Sequence, residues 1–68
     1  MAKGRQVRKA LQKAGWSRAR QSGSHVQLQK GARTETFSYH DGVELGTTQL
    51  RIVARKFGLS LDELERLL

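Results

Sequence analysis

Cysteine and proline are both missing from these 68 residues. Without cysteine no disulfide can staple the fold, and the thiolate ligands of most structural zinc sites are lacking. A chain this short buries only about 60% of the surface its unfolded form exposes, and its core supplies roughly 3–5 kcal/mol. Disulfides, a metal or a partner are the usual supplements at this size. A partner is the supplement that this composition favours. No apolar run approaches the ~18 residues of a membrane span. The opening stretch MAKGRQVRKALQKAGW alternates charged and apolar residues, so it lacks the apolar segment of a secretory signal. The expectation is one cytoplasmic domain over residues 1–68.

Acidic residues are missing from the first half. Residues 1–33 carry nine Lys or Arg and no Asp or Glu, whereas residues 34–68 carry four basic and six acidic residues. The formal net charge is +7. A wholly cationic half attracts a phosphate backbone through release of condensed counterions. The blander alternative is a solubilising surface. Nucleic-acid contact is the reading carried forward.

What is present reads as helices flanking strands. In RQVRKALQKA (5–14), Val7, Ala10, Leu11 and Ala14 recur at helical spacing, with Arg5, Arg8, Lys9 and Lys13 on the remaining surface. Gly15 stands at the C-cap position. The period then changes to two. WSRARQ (16–21) alternates, which predicts Trp16, Arg18 and Arg20 on one face. SHVQLQK (24–30) sets Val26 and Leu28 opposite His25, Gln27 and Gln29. TETFSYH (34–40) carries Phe37 and Tyr39 on one side. The segment DGVELGT reads as a loop, with Thr47 or Thr48 capping the next helix. Leu50, Val53, Ala54 and Phe57 form that helix's apolar stripe, and Gly58 ends it. Ser60 with Glu63 makes a capping box for a short last helix bearing Leu61, Leu64, Leu67 and Leu68. The order α-β-β-β-α, with the extra C-terminal helix, predicts an α+β fold. A three-stranded antiparallel sheet packs helices on one face and leaves the other open.

These motifs in this order resemble the HicA toxins, small mRNA interferases of bacterial toxin–antitoxin pairs. KGRQVRKALQKAGWSRARQSGSH is similar to the family's opening: a K-G-R/x helix, a G-[FW] strand entry, then R-Q-x-G-S-H. GTTQLRIVARKFGLSLDEL is similar to its closing helix, and the resemblance spans residues 3–65. It implies a fold like that of double-stranded RNA-binding domains. It also implies metal-independent cleavage of messenger RNA, with no cofactor, and a HicB-type antitoxin that covers the active site. The histidine of the G-S-H motif, here His25, is by this resemblance catalytic. The chain departs from the family in having no proline, where the family often carries a proline-containing run before the third strand and a V-P-[VK]-H ending; it reads FSYH there. His40 still falls where the family's second histidine would be.

The chemistry suits these residue types. RNA carries its own nucleophile: once a base removes the 2′-hydroxyl proton, that oxygen attacks the adjacent phosphate. The products are a 2′,3′-cyclic phosphate and a 5′-hydroxyl end. Imidazole exchanges protons near neutral pH, and such transfer is worth roughly 10²–10⁴ in rate. Cations beside the phosphate stabilise the charge that develops on its oxygens. Arg18 and Arg20 on the first strand, with Lys30 and Arg33 at the following turn, are the candidates. Arg5, Arg8 and Lys9 of the first helix are candidate RNA contacts, against the alternative of a solvated helix face.

Each site residue has a plainer alternative. His25 can be a solvated member of a hairpin. Gly23 suits a turn that needs positive φ, and it also allows close approach to a phosphate. Ser24 would orient His25 or simply make the turn. His40 would act as conjugate acid or be solvated. Trp16 and Tyr39 can stack a base, although core packing explains them as well. Two histidines fifteen positions apart, without cysteine, show no metal-ligand spacing. Two other functions stay open: a non-catalytic RNA-binding module of the same fold, and an interaction protein whose basic face meets an acidic partner.

Overall fold

The computed structural model describes residues 1–23 and 25–68; Ser24, the expected support for His25, lies outside the described residues. Eight elements follow one another: β1 (Ala2–Lys3), α1 (Gly4–Lys13), β2 (Ser17–Ser22), β3 (His25–Lys30), β4 (Arg33–Phe37), β5 (Glu44–Leu45), α2 (Thr47–Lys56) and α3 (Leu61–Leu67). The fold is α+β, with an antiparallel sheet in the order β2-β3-β4 and a small two-stranded sheet of β1 and β5.

Helix α1 forms where apolar residues fall at i, i+3 and i+4, and Val7, Ala10 and Leu11 are fully buried. Its first turn is closed by the chain around it. The Lys3 backbone N–H donates to Gln6 Oε1 at 2.8 Å. The N–H groups of Gly4 and Arg5 donate to the carbonyls of Val43 and Asp41 at 2.8 and 3.2 Å. Donors that a helix start leaves unpaired are therefore taken up by the 41–43 segment. That approach requires glycine at position 4, because a Cβ there would run into the His40 carbonyl oxygen.

The sheet meander explains the alternation of its central strand. Val26 and Leu28 are buried, whereas His25, Gln27 and Gln29 are exposed. Phe37 pairs with Val26 across the ladder and is 1% exposed. The buried side joins Trp16, Leu45, Leu50, Val53, Ala54, Phe57 and Leu64 in one cluster drawn from both sheets and all three helices. Each fully buried Leu or Phe contributes roughly 1.5–3 kcal/mol of transfer free energy. Trp16 meets Phe57 edge-on, with ring centroids 4.9 Å apart. At 2% exposure it is core and has no face to offer a base.

Four sequence expectations are corrected. The first strand begins at Ser17 and is not a plain ribbon. Arg18 opposes Leu28 and Arg20 opposes Gln27, so a bulge leaves Ala19 without a partner. Directly paired residues share a face. Arg18 therefore lies on the core side and Arg20 on the open side, not together. The third strand ends at Phe37, three residues short of His40. The presumed loop 41–47 contains β5, whose Leu45 is fully buried and pairs with Ala2. Finally, α2 is capped by Gly46, whose N–H donates to Gln49 Oε1 at 2.9 Å; Thr47 and Thr48 are already helical. The Ser60–Glu63 box forms as expected, with Ser60 N–H donating to Glu63 Oε1 and Glu63 N–H to Ser60 Oγ.

Candidate functional site

Register on the open face brings the first group of residues together. Ser22 opposes His25, Arg20 opposes Gln27, and Gln27 opposes Thr36. These five side chains line a hollow of about 250 Å³. Four of them come from alternate positions on β2 and β3, where the pleat turns them away from the core. His25 is exposed at the first position of β3. The hollow therefore offers an imidazole, a guanidinium, an amide and two hydroxyls, with no carboxylate among its lining residues. Sequence reasoning missed Ser22, Gln27 and Thr36. The signal that would have found them is the period-two pattern itself, which puts them on the face opposite Val26.

His40 is elsewhere. It lines a separate cleft of about 430 Å³ with Arg8, Arg18, Gln21, Tyr39 and Asp41. Gln21 opposes Val26 and Arg18 opposes Leu28, so this cleft is on the core side of the β2–β3 hairpin. The two histidines thus belong to opposite faces. Gly23 borders the His40 cleft and has φ +60°, the left-handed conformation that glycine tolerates.

The basic half divides into tied and untied cations. Lys30 Nζ donates to the Ala14 carbonyl at the end of α1, at 2.9 Å. Arg33 Nη2 donates to the Lys56 carbonyl at the end of α2, at 3.0 Å. Lys13 Nζ donates to the Leu67 carbonyl at the end of α3, at 3.2 Å. All three helices thereby receive a cation at the negative end of their dipole. Arg33 also lies 5.5 Å from the Trp16 ring centroid and pairs with Glu35 at 3.5 Å. Arg8, with a side chain 14% exposed, pairs with Asp41 at 3.0 Å. Lys3, Arg5, Lys9, Arg18 and Arg20 make no side-chain hydrogen bond or ion pair among the described residues. Lys3, Arg5 and Lys9 gather around one shallow hollow at the start of α1.

At the start of α3, the Ser60 backbone N–H and hydroxyl hold the Glu63 carboxyl below its ordinary pKa range. Among the described residues no three His, Asp or Glu side chains cluster as metal ligands would. No described helix is long and apolar enough to cross a membrane.

Against known proteins, no curated protein and no solved structure gives a significant match. A family model described as HicA toxin of bacterial toxin-antitoxin matches residues 4–59. The match runs from the first residue of α1, through the meander with its exposed His25, to the residue after Gly58. With most of its length matched in that way, the chain belongs to the HicA toxin family of bacterial toxin–antitoxin systems.

Proposed function

We propose that this toxin is a metal-independent endoribonuclease that cleaves messenger RNA, with His25 as its general acid/base. The observation that carries the proposal is the exposed imidazole of His25 in one hollow with Arg20, on a sheet face that no helix covers. A ribose seated there presents its 2′-hydroxyl to the imidazole, which takes the proton as the oxygen attacks phosphorus. Arg20 stabilises the charge that develops on the phosphoryl oxygens, and the hydroxyls of Ser22 and Thr36 are placed to donate to the same group. The leaving 5′ oxygen takes a proton from water and His25 returns its own to solvent, giving a cyclic phosphate and a 5′-hydroxyl end. Gly23 supports this by letting the chain turn into β3.

Arg5 and Lys9, with Lys3 beside them, extend the attraction for the RNA backbone along the start of α1. Lys30, Arg33 and Arg8 contribute charge while held by their intramolecular partners. As one half of a toxin–antitoxin pair, the protein has a cognate antitoxin. A HicB-type partner with an acidic surface that covers His25 fits both the charge and the need to silence the site.

The test is incubation of RNA with wild-type protein and His25→Ala in EDTA, followed by end-group analysis. Wild type is expected to leave cyclic-phosphate ends, and the variant to lose about 10²-fold or more of the rate. Equal cleavage by both proteins would end the assignment. Salt-dependent binding without any cleavage would leave a non-catalytic RNA-binding module instead.

A further inference from the structure

The bulge in β2 gives each face of the hairpin one arginine and one histidine: Arg20 with His25 on the open side, Arg18 with His40 on the core side. The second pair sits in the larger cleft. Its volume of about 430 Å³ falls within the ~300–1,000 Å³ usual for small-ligand sites.

The walls of this cleft are chemically mixed and held in place. Tyr39 is half-buried, and its ring packs against Phe37 at 5.7 Å, which fixes its plane. Arg8 is anchored by its ion pair with Asp41. Around them stand Arg18, the Gln21 amide and the His40 ring. A simple anion is poorly served, because the Asp41 carboxylate borders the same space. A wholly apolar ligand is poorly served by the charges. The set suits a ligand with a planar heteroaromatic part and an attached phosphate. Tyr39 and His40 offer ring surfaces, Gln21 and Asp41 offer partners for base edges, and Arg18 offers a cation for the phosphate.

We propose that this cleft is a second nucleotide subsite, which binds a base of the RNA neighbouring the step that His25 cuts. The proposal rests on the ribonuclease reading above. The two sites lie back to back across the hairpin, and β2, exposed at all six positions, separates them. An RNA strand leaving the His25 hollow rounds this edge past Gly23 and enters the cleft. Cleavage efficiency then depends on substrate length and on the identity of a base outside the scissile step.

The test uses single-stranded oligoribonucleotides of increasing length that share one scissile step. In wild type, kcat/KM is expected to jump at the length that fills the cleft. In Arg18→Ala and His40→Ala, checked for an unchanged unfolding midpoint, the ratio of long to short substrate should fall at least about fivefold, the size of one lost stacked base. A second measurement does not need turnover. Oligonucleotides carrying 5-iodouridine outside the scissile step, bound to His25→Ala, should photocrosslink to Tyr39 or His40. An unchanged length dependence in both variants, or crosslinks confined to the open sheet face, would overturn the subsite while leaving the nuclease reading intact. If wild type cleaves no substrate of any length, the ribonuclease reading itself fails and this subsite fails with it.

Discussion

The two faces of the β2-β3-β4 sheet have opposite tasks. One presents Val26, Leu28 and Phe37 to the helices, each at most 5% exposed. The other presents His25, Gln27 and Gln29 to water. A central strand that alternates this strictly lets chemistry be placed on one side without any cost in packing on the other. The open face can be altered for function, whereas the buried face can hardly be altered at all.

The sharpest way to break that contrast is to move one residue along β3. Leu28→Ala should cost about 2–5 kcal/mol, comparable to the whole stability of a chain this size. Gln27→Ala, one position away, should stay within about 0.5 kcal/mol. Denaturant titrations of the two variants decide it. Gly4→Ala should come next, at about 1–3 kcal/mol, because the added methyl must displace the His40 carbonyl or the start of α1. Chemical shifts in the 40–43 segment should report that displacement.

Cations should divide along the same line. Arg33→Ala removes the charge at the end of α2 and the contact over Trp16, and should cost about 1 kcal/mol. Arg20→Ala should leave the unfolding midpoint nearly unchanged and lower the salt slope of RNA binding by about one. Equal slopes in wild type and Arg20→Ala would remove Arg20 from the RNA footprint. The smallest effect should come from Glu63, which touches neither face. Its native pKa is lowered by the hydrogen bonds from Ser60. Its stabilising contribution is therefore present above the ordinary carboxylate range and is lost as pH falls through the lowered native value. Glu63→Gln should lower stability slightly in the neutral region, flatten the acid limb of stability against pH, and match wild type at the acid end, as denaturant titrations across pH would report.

Periodic signals in the sequence were enough to locate α1, the central strand and the two later helices, because each buries one regular stripe. The same signals could not reveal β1 and β5. Two-residue strands have no period, and only the pairing of Ala2 with Leu45 creates them. The exposure of His25 was legible from its place on the face opposite Val26. The distribution of the cations was not. Lys30, Arg33 and Lys13 each reach a helix end 16 to 54 positions away, and such partners exist only once the chain has folded. The separation of Arg18 from Arg20 was hidden for a related reason, since strict alternation assumes a strand with no extra residue.

That extra residue changes how related chains should be aligned. Side-chain direction along β2 is dictated by the neighbouring strand, so it follows the count of ladder rungs and not the count of amino acids. Removing Ala19 would make the two arginines sequence neighbours and still leave one above the sheet and one below. A toxin reading R-R at this point would thus be equivalent to one reading R-A-R, while a plain strand with R-x-R would send both guanidinium groups the same way.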